Sequence, residues 1–590
     1  MQRTFDMFNN SSIANCKKRH YASYDNRCDH KCRNRYPTYP IDRYFGDKAF
    51  KLRCKLGKLQ YKPCPTLPQN NLEELKYKNY NYNGSFHKSF AHNTTDGRLL
   101  YPINYTAMKN ALLSNDQVSL AAVPLAPGSI FKLTNPLSSL ATTLVGASAC
   151  TLKIDTPPSL SSASGAADML EVYAMAVARD TPFHNYANDS TIQSLLGVTR
   201  MNDPFVLANL KYYSPLNVPF IDKTIFKGIS TDEQVGPYIS QLFFLAVPIG
   251  AGIFKQLYTT LKPRPGLFIE WGTTLAETIT IQNGIPGSGV PNVCPNKQYI
   301  HDGRSLAEAV HNDPPYSIFL NAALILGGLG ILPNKGLPAY PNQSGFNTGF
   351  GGPSIQCAIA EVTGSALNVA WYWKWQVYRK LRPEVFALWV HNVQASLVNN
   401  TNNFDIDNGL FSNPILSDIF GLYRSHTLPL CYPEGSPCHP AYPAGHAVIS
   451  GACCTILKMY YDAEKPWNSL PGVLNGKLSD GLIGPVEADP AAGSAYTGLR
   501  VYTGGDAASM SIGGEINKLS SNVSIGRVWA GVHYRSDGVQ GMALGEKVAI
   551  KYMEDRLASC VDNNLNGTVP RITFRKFDGT FATIGPTSCR

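Results

Sequence analysis

The stretch HPAYPAGHAVISGACC (residues 439–454) is a proline-rich lead-in followed by a long apolar run, the pattern of a helix start. Pro443 suits helix initiation, and Gly445 lets the backbone come close to a ligand. His446 stands ready to handle a proton. The free N–H groups and macrodipole of a helix start attract an anion. Position 444 is alanine, where a hydroxyl would be the obvious extra donor. The stretch therefore reads as an oxyanion cradle lacking one hydrogen bond.

Sixty residues upstream, WYWKWQVYRKLRPE (371–384) carries cations among aromatic rings. On a continuous helical wheel Trp371, Lys374, Tyr378 and Arg382 share one face, while Gln376 and Lys380 point away. A Lys and an Arg inside an aromatic stripe must be paired or must hold an anion. Pro383 is expected to break the helix just after Arg382. The plainer alternative is that both side chains snorkel to water.

Eighty residues downstream of the first stretch, GRVWAGVHYRSDG (526–538) supplies Arg527, His533 and Asp537. Arg527 adds a third permanent cation with a donor fork suited to an oxyanion. Asp537 lies four residues after His533 and can orient the imidazole, as the carboxylate beside a metal-bound His commonly does. Ser536 or Asp537 can equally cap the helix running to about 558.

The three segments in order resemble the vanadium-dependent haloperoxidases, whose anion site is shared with type-2 phosphatidic acid phosphatases and bacterial acid phosphatases. The matching pieces are Lys374 eight residues before Arg382-Pro383, then Pro443-Ala444-Gly445-His446, then Arg527 six residues before His533, then Asp537. The long gaps suit the larger haloperoxidases. CYPEGSPCHPAYPAGHA and GRVWAGVHYRSDG look most like the algal bromo- and iodoperoxidases. The resemblance covers roughly residues 100–560.

That resemblance implies a mainly α fold of helical bundles with few short strands and one vanadate per subunit. His533 would ligate vanadium. Lys374, Arg382, Arg527 and the backbone at Ala444 and Gly445 would meet the vanadate oxygens. His446 and Lys374 would act on hydrogen peroxide, with Trp371 and His439 lining the halide pocket and Asp537 behind His533. The partners would be hydrogen peroxide, iodide or bromide and an organic acceptor, and the chain would form a homo-oligomer. Ala444 departs from the family's Ser, and losing one donor to a charged group weakens the pull on peroxide. Iodide or bromide, rather than chloride, is therefore the expected halide. The alternative within the superfamily is a vanadate-inhibited phosphatase with His533 as nucleophile.

The bulk numbers describe a globular chain. The chain has 590 residues, 44% hydrophobic and only 16% charged, long enough for several domains or for one large helical body with a big core. AADMLEVYAMAVAR (166–179), GPYISQLFFLAVPIG (236–250), YSIFLNAALILGGLGIL and GSALNVAWYWKWQVYRKL read as helices, and RITFRKF near 571 as a strand. The net charge of +10 lies wholly in residues 1–64, with 15 Lys and Arg against 5 Asp and Glu. A basic, Cys-rich head over 1–65 thus precedes a helical domain over 66–590 with its core at about 101–560. No zinc-finger spacing or heptad-linked basic helix supports nucleic-acid binding. No apolar run is long enough for a membrane span.

Fourteen cysteines, five of them in the head and others at Cys431, Cys438, Cys560 and Cys589, favour disulfides. Sequons at Asn83, Asn93, Asn104, Asn188, Asn342 and Asn566 favour a glycoprotein. Together they predict a secreted protein, extracellular or in a cell wall. MQRTFDMFNNSS has no apolar segment of the signal-peptide kind.

Overall fold

The computed structural model describes Lys48, Lys51, Leu52, Cys54, Lys55 and residues 73–585, apart from 115, 142, 144, 213–216, 229, 262–269, 290, 292, 339–341, 347, 492–494 and 560–569. The chain divides into two units, Met1–Lys62 and Pro63–Arg590. The expected basic head lies outside the described residues, save for the five just named.

The second unit is mainly helical. Eight helices matter for the site: α1 (Ala163–Ala178), α2 (Gly303–Ala309), α3 (Ser317–Gly328), α4 (Gly352–Trp371), α5 (Pro383–Gln394), α6 (Gly445–Tyr460), α7 (Ile512–Trp529) and α8 (Arg535–Ser559). The described strands form three two-stranded antiparallel hairpins, β1–β2 (Val247–Ile249, Gly252–Phe254), β3–β4 (Val486–Ala488, Leu499–Val501) and β5–β6 (Ile572–Arg575, Phe581–Ile584). Among the described residues no helix is long and apolar enough to cross a membrane.

α6 is apolar or small on nearly every face, and all residues from Ala447 to Tyr460 are buried. Such a helix belongs at the centre of a bundle. It packs most extensively against α8 and further against α4 and α7. Small residues allow the α6–α8 approach. A Cβ on Gly545 would meet Val448 O at 2.1 Å, and one on Gly451 would meet Met542 O at 2.3 Å. The same seam ends in a backbone hydrogen bond, Ala444 N to Asp537 O at 3.0 Å. The starts of α6 and α8 are thereby fastened together.

A second anchor sits at the start of α5. Buried Glu384 accepts from Lys88 Nζ at 3.0 Å, Gln282 Nε2 at 2.6 Å and the Ser436 amide at 2.8 Å. This pins the loop that carries His439 against the residues following Arg382.

Several sequence expectations differ from the structure. The helix expected over 236–250 is one turn, Gln241–Phe244, followed by β1. Left-handed Gly236 and Gly250 bound the segment, and Pro248 has no N–H for a helix. The helix expected over 364–381 leaves α geometry at Trp371, passes through a π turn (Tyr372–Tyr378) and ends at left-handed Arg379 (φ 43°). Gln376 and Lys380 are consequently buried, and Tyr378 packs against Tyr442.

No described cysteine is bridged: Cys54, Cys150, Cys294, Cys357, Cys431, Cys438, Cys453 and Cys454 are free thiols. Cys431 faces Trp529 O and Cys438 faces Phe131 O, each at 3.7 Å, instead of another sulfur. Cys16, Cys28, Cys32, Cys64, Cys560 and Cys589 lie outside the described residues. Asn83 is completely buried, so the fold closes that sequon, whereas Asn188 and Asn342 are exposed. Asn566 lies outside the described residues.

Backbone on the far side of the seam cannot yield to an added methyl. Gly545→Ala is expected to cost about 1–3 kcal/mol and lower the thermal midpoint, read by calorimetry. Gly579→Ala, in an open hairpin turn at φ 80°, meets no neighbouring atom and serves as the control for backbone strain alone.

Candidate active site

Each sequence-identified residue arrives on a different element. Lys374 comes from the π turn, and Arg382 from the extended residue before Pro383 opens α5. Gly445 and His446 start α6, and Arg527 is in the last turn of α7. His533 occupies the short α7–α8 link, and Asp537 lies in the first turn of α8.

A cavity of about 150 Å³ is bordered by Trp371, His439, Gly445, His446, Arg527 and His533. Phe319, Leu367 and Ile449 add an apolar side. Lys374 and Arg382 do not border it; both are fully buried behind it. Lys374 Nζ donates to Pro440 O at 2.6 Å and Ala441 O at 2.9 Å. Arg382 spreads its fork over His439 O at 3.0 Å, His439 Nδ1 at 3.0 Å, Val532 O at 2.7 Å and His533 Nε2 at 2.9 Å.

Arg527 donates from Nη1 to Val310 O at 2.7 Å and to Tyr432 Oη at 3.3 Å. Its buried Nε has no partner. An orphaned guanidinium N–H beside a cavity is a donor waiting for an acceptor.

The imidazole of His533 is held from behind. Nδ1 meets Asp537 Oδ2 at 2.9 Å, and the same oxygen accepts the Tyr534 amide at 3.1 Å. Asp537 thus both secures the start of α8 and orients the ring. A proton on Nδ1 leaves Nε2 as the acceptor atom, which Arg382 confirms by donating to it. Burial, reinforced by Arg382, Lys374 and Arg527, pushes His533 well below the ordinary imidazole range, so the ring is neutral.

Burial likewise lowers Lys374, with Arg382 adding to the effect and Asp537 opposing it. Arg382 is brought down to about 10, chiefly by burial. His439 is held neutral by burial and then by Lys374 and Arg382. These shifts share a cause: positive charge is crowded into a dry place with too few carboxylates. An oxyanion would relieve that crowding.

His446 is partly exposed and pairs with Asp313, Nε2 to Oδ1 at 2.8 Å. Burial and then Arg527 lower its pKa, against the raising effect of Asp313. Despite burial, that hydrogen bond holds the Asp313 carboxyl below its usual range. Asp313, just before α3, carried no signal in the sequence, because only the fold brings it to His446. Trp371 is 4.9 Å from His439 between ring centroids and is fixed by Nε1 donating to Asn135 O at 3.0 Å.

Ala444 is placed differently from the expectation. Its methyl packs with Ala447 and Met542, and its amide is committed to Asp537 O. It therefore offers the cavity neither a donor nor a surface. At Gly445 an added Cβ would meet only Trp371, at 3.8 Å, and would otherwise fill cavity space. The glycine keeps the cradle open.

The donor set suits an oxyanion. Among the described residues no group of three or more His, Cys, Asp or Glu is arranged to chelate a cation. Three buried cations, an uncapped helix start and one imidazole nitrogen instead match a negatively charged oxide bound at one point by nitrogen.

Comparison with known proteins agrees. Residues 422–562, which include α6, α7 and α8, match the family described as the VCPO second helical-bundle domain. The chain is 28% identical to a vanadium-dependent bromoperoxidase of Ascophyllum nodosum, over 92% of each chain. It is 26% identical to one of Corallina pilulifera, over 86% of this chain and 93% of that one. The solved homohexameric structure of the second vanadate-dependent bromoperoxidase of Ascophyllum nodosum superposes with a TM-score of 0.77 at 27% identity, covering 94% of this chain and 92% of that one. Over most of its length the chain is thus similar in sequence and in fold to vanadium-dependent bromoperoxidases.

Proposed function

We propose that this protein is a vanadate-dependent haloperoxidase that uses hydrogen peroxide to oxidise iodide or bromide, which then halogenates organic acceptors. The observation that carries the reading is the His533 ring, locked by Asp537, with Nε2 among Arg382, Lys374 and Arg527 beside a cavity. Bound vanadate supplies a Lewis acid that activates peroxide toward halide without changing oxidation state. His533 Nε2 would ligate it. Arg382, Lys374 and the partnerless Nε of Arg527 would offset its charge, and the Gly445 amide at the uncapped helix start would meet an oxygen.

His446 takes and returns the peroxide proton, with Asp313 fixing its ring. Trp371 and neutral His439 form the wall best suited to a polarisable halide. Nothing at position 444 donates to the cradle. A hydrogen bond to a charged group contributes about 1.5–3 kcal/mol, so peroxide is polarised less strongly than with a hydroxyl there. Iodide, the most easily oxidised of the three halides, asks least of such a site. The hexameric relative supports a homo-oligomer, and exposed Asn188 and Asn342 support secretion to the cell wall or exterior.

Apoprotein loaded with orthovanadate is expected to turn over iodide and bromide but chloride poorly, and His533→Ala to lose vanadate binding. Efficient chloride oxidation would refute the halide assignment. Vanadate inhibition of a phosphatase activity would replace the whole reading.

His446→Ala should lower kcat by roughly 100-fold or more, the usual scale for a lost general acid–base. The reaction needs a neutral His446, so the rate falls as pH drops through its pKa. Asp313 raises that pKa; Asp313→Asn is therefore expected to move the acid limb of the kcat profile to lower pH.

A further inference from the structure

The left-handed turn at Arg379 (φ 43°, ψ 39°) is uncommon for a residue with a side chain. It swings Lys380 from the outward position of a continuous helix to the inside. The Lys380 backbone bridges Ser85 and accepts the Ala441 amide at 3.0 Å. Its side chain is 6% exposed and its ammonium lies 3.7 Å from Asp537 Oδ1. The Tyr534 ring, 4.3 Å away, supports the cation from another side.

The two oxygens of Asp537 have different tasks. Oδ2 receives His533 Nδ1 and the Tyr534 amide, whereas fully buried Oδ1 has no hydrogen-bond donor. Among the described residues Lys380 is the only Lys or Arg within 4 Å of this carboxylate. It does not border the cavity, and Asp537 stands between it and His533.

We propose that Lys380 is a positioning residue for the oxyanion centre: it balances Asp537 at Oδ1 so that Oδ2 stays on His533, acting on bound vanadate only through that imidazole. The inference rests on the vanadate reading above. Groups behind a metal-bound His typically change metal affinity 10- to 100-fold, although they never touch the metal.

The test is equilibrium dialysis of the apoprotein against orthovanadate, with the thermal midpoint measured without vanadate. Lys380→Met should raise the vanadate Kd by about 10- to 100-fold, and Lys380→Arg, which keeps the charge, should recover most of the loss. The double variant Lys380→Met/Asp537→Asn removes both charges of the pair together, and so remains a usable comparison where Lys380→Met folds poorly. It should bind no more weakly than Asp537→Asn alone, because the lysine acts through the carboxylate. Unchanged affinity in Lys380→Met, failure of Lys380→Arg to recover it, or additive losses in the double variant would overturn the proposal. A wild-type protein that binds no vanadate would overturn the proposed function, and this inference with it.

Discussion

Two helices in near-backbone contact govern this protein. α6 and α8 meet through Gly451, Gly541 and Gly545 so closely that no Cβ fits at the contact. Their starts are thereby brought within one hydrogen bond of each other, Ala444 N to Asp537 O. His446 extends from one start and the Asp537–His533 pair from the other. The chemistry sits where two helix beginnings coincide, which is also where partial positive charge accumulates.

Around that junction the fold gathers more positive charge than it neutralises. Elsewhere Arg535 binds Glu171 through several N–H groups and Lys88 binds Glu384, each buried cation matched by a carboxylate. At the cavity, Lys374 and most of Arg382 have only backbone carbonyls and neutral rings, and Arg527 keeps an unused N–H. A folded protein tolerates such an imbalance where a ligand completes it. Carbonyls hold the cations in place without cancelling their charge, so the cradle is preorganised before any anion arrives.

Much of this was legible in the chain. Lys374, Arg382, His446, Arg527, His533 and Asp537 stand out by type and spacing, and the start of α6 announces itself through Pro443, whereas α8 begins at Arg535, so Ser536 and Asp537, read as possible caps, lie inside its first turn. What stayed hidden depended on contacts distant in sequence. Periodicity treats 364–381 as one helix, but the π turn and left-handed Arg379 reverse which residues face inward. Lys380 and Gln376 thus read as solvated and are buried. Asp313 lies 133 positions from His446. Alanine at 444 read as a gap in the cradle; its backbone in fact serves the helix junction. Cysteine counting suggested bridges, yet the described sulfurs are free thiols, four of them buried in the core.

That sulfur placement has a bearing on survival. A haloperoxidase releases a species that attacks thiols and thioethers. Cys453 and Cys454 lie two turns beyond His446 on α6, and Cys431 and Cys438 lie on the chain just before His439; all four are buried. Burial drives Cys431 and Cys453 up to about 12, so each stays a protonated, sluggish thiol rather than a reactive thiolate. Met542, beside Ala444, is equally enclosed. Under the proposed function the interior around the reaction is armoured against its own product, and self-inflicted damage would begin at outlying sulfurs such as Cys150 and Cys357.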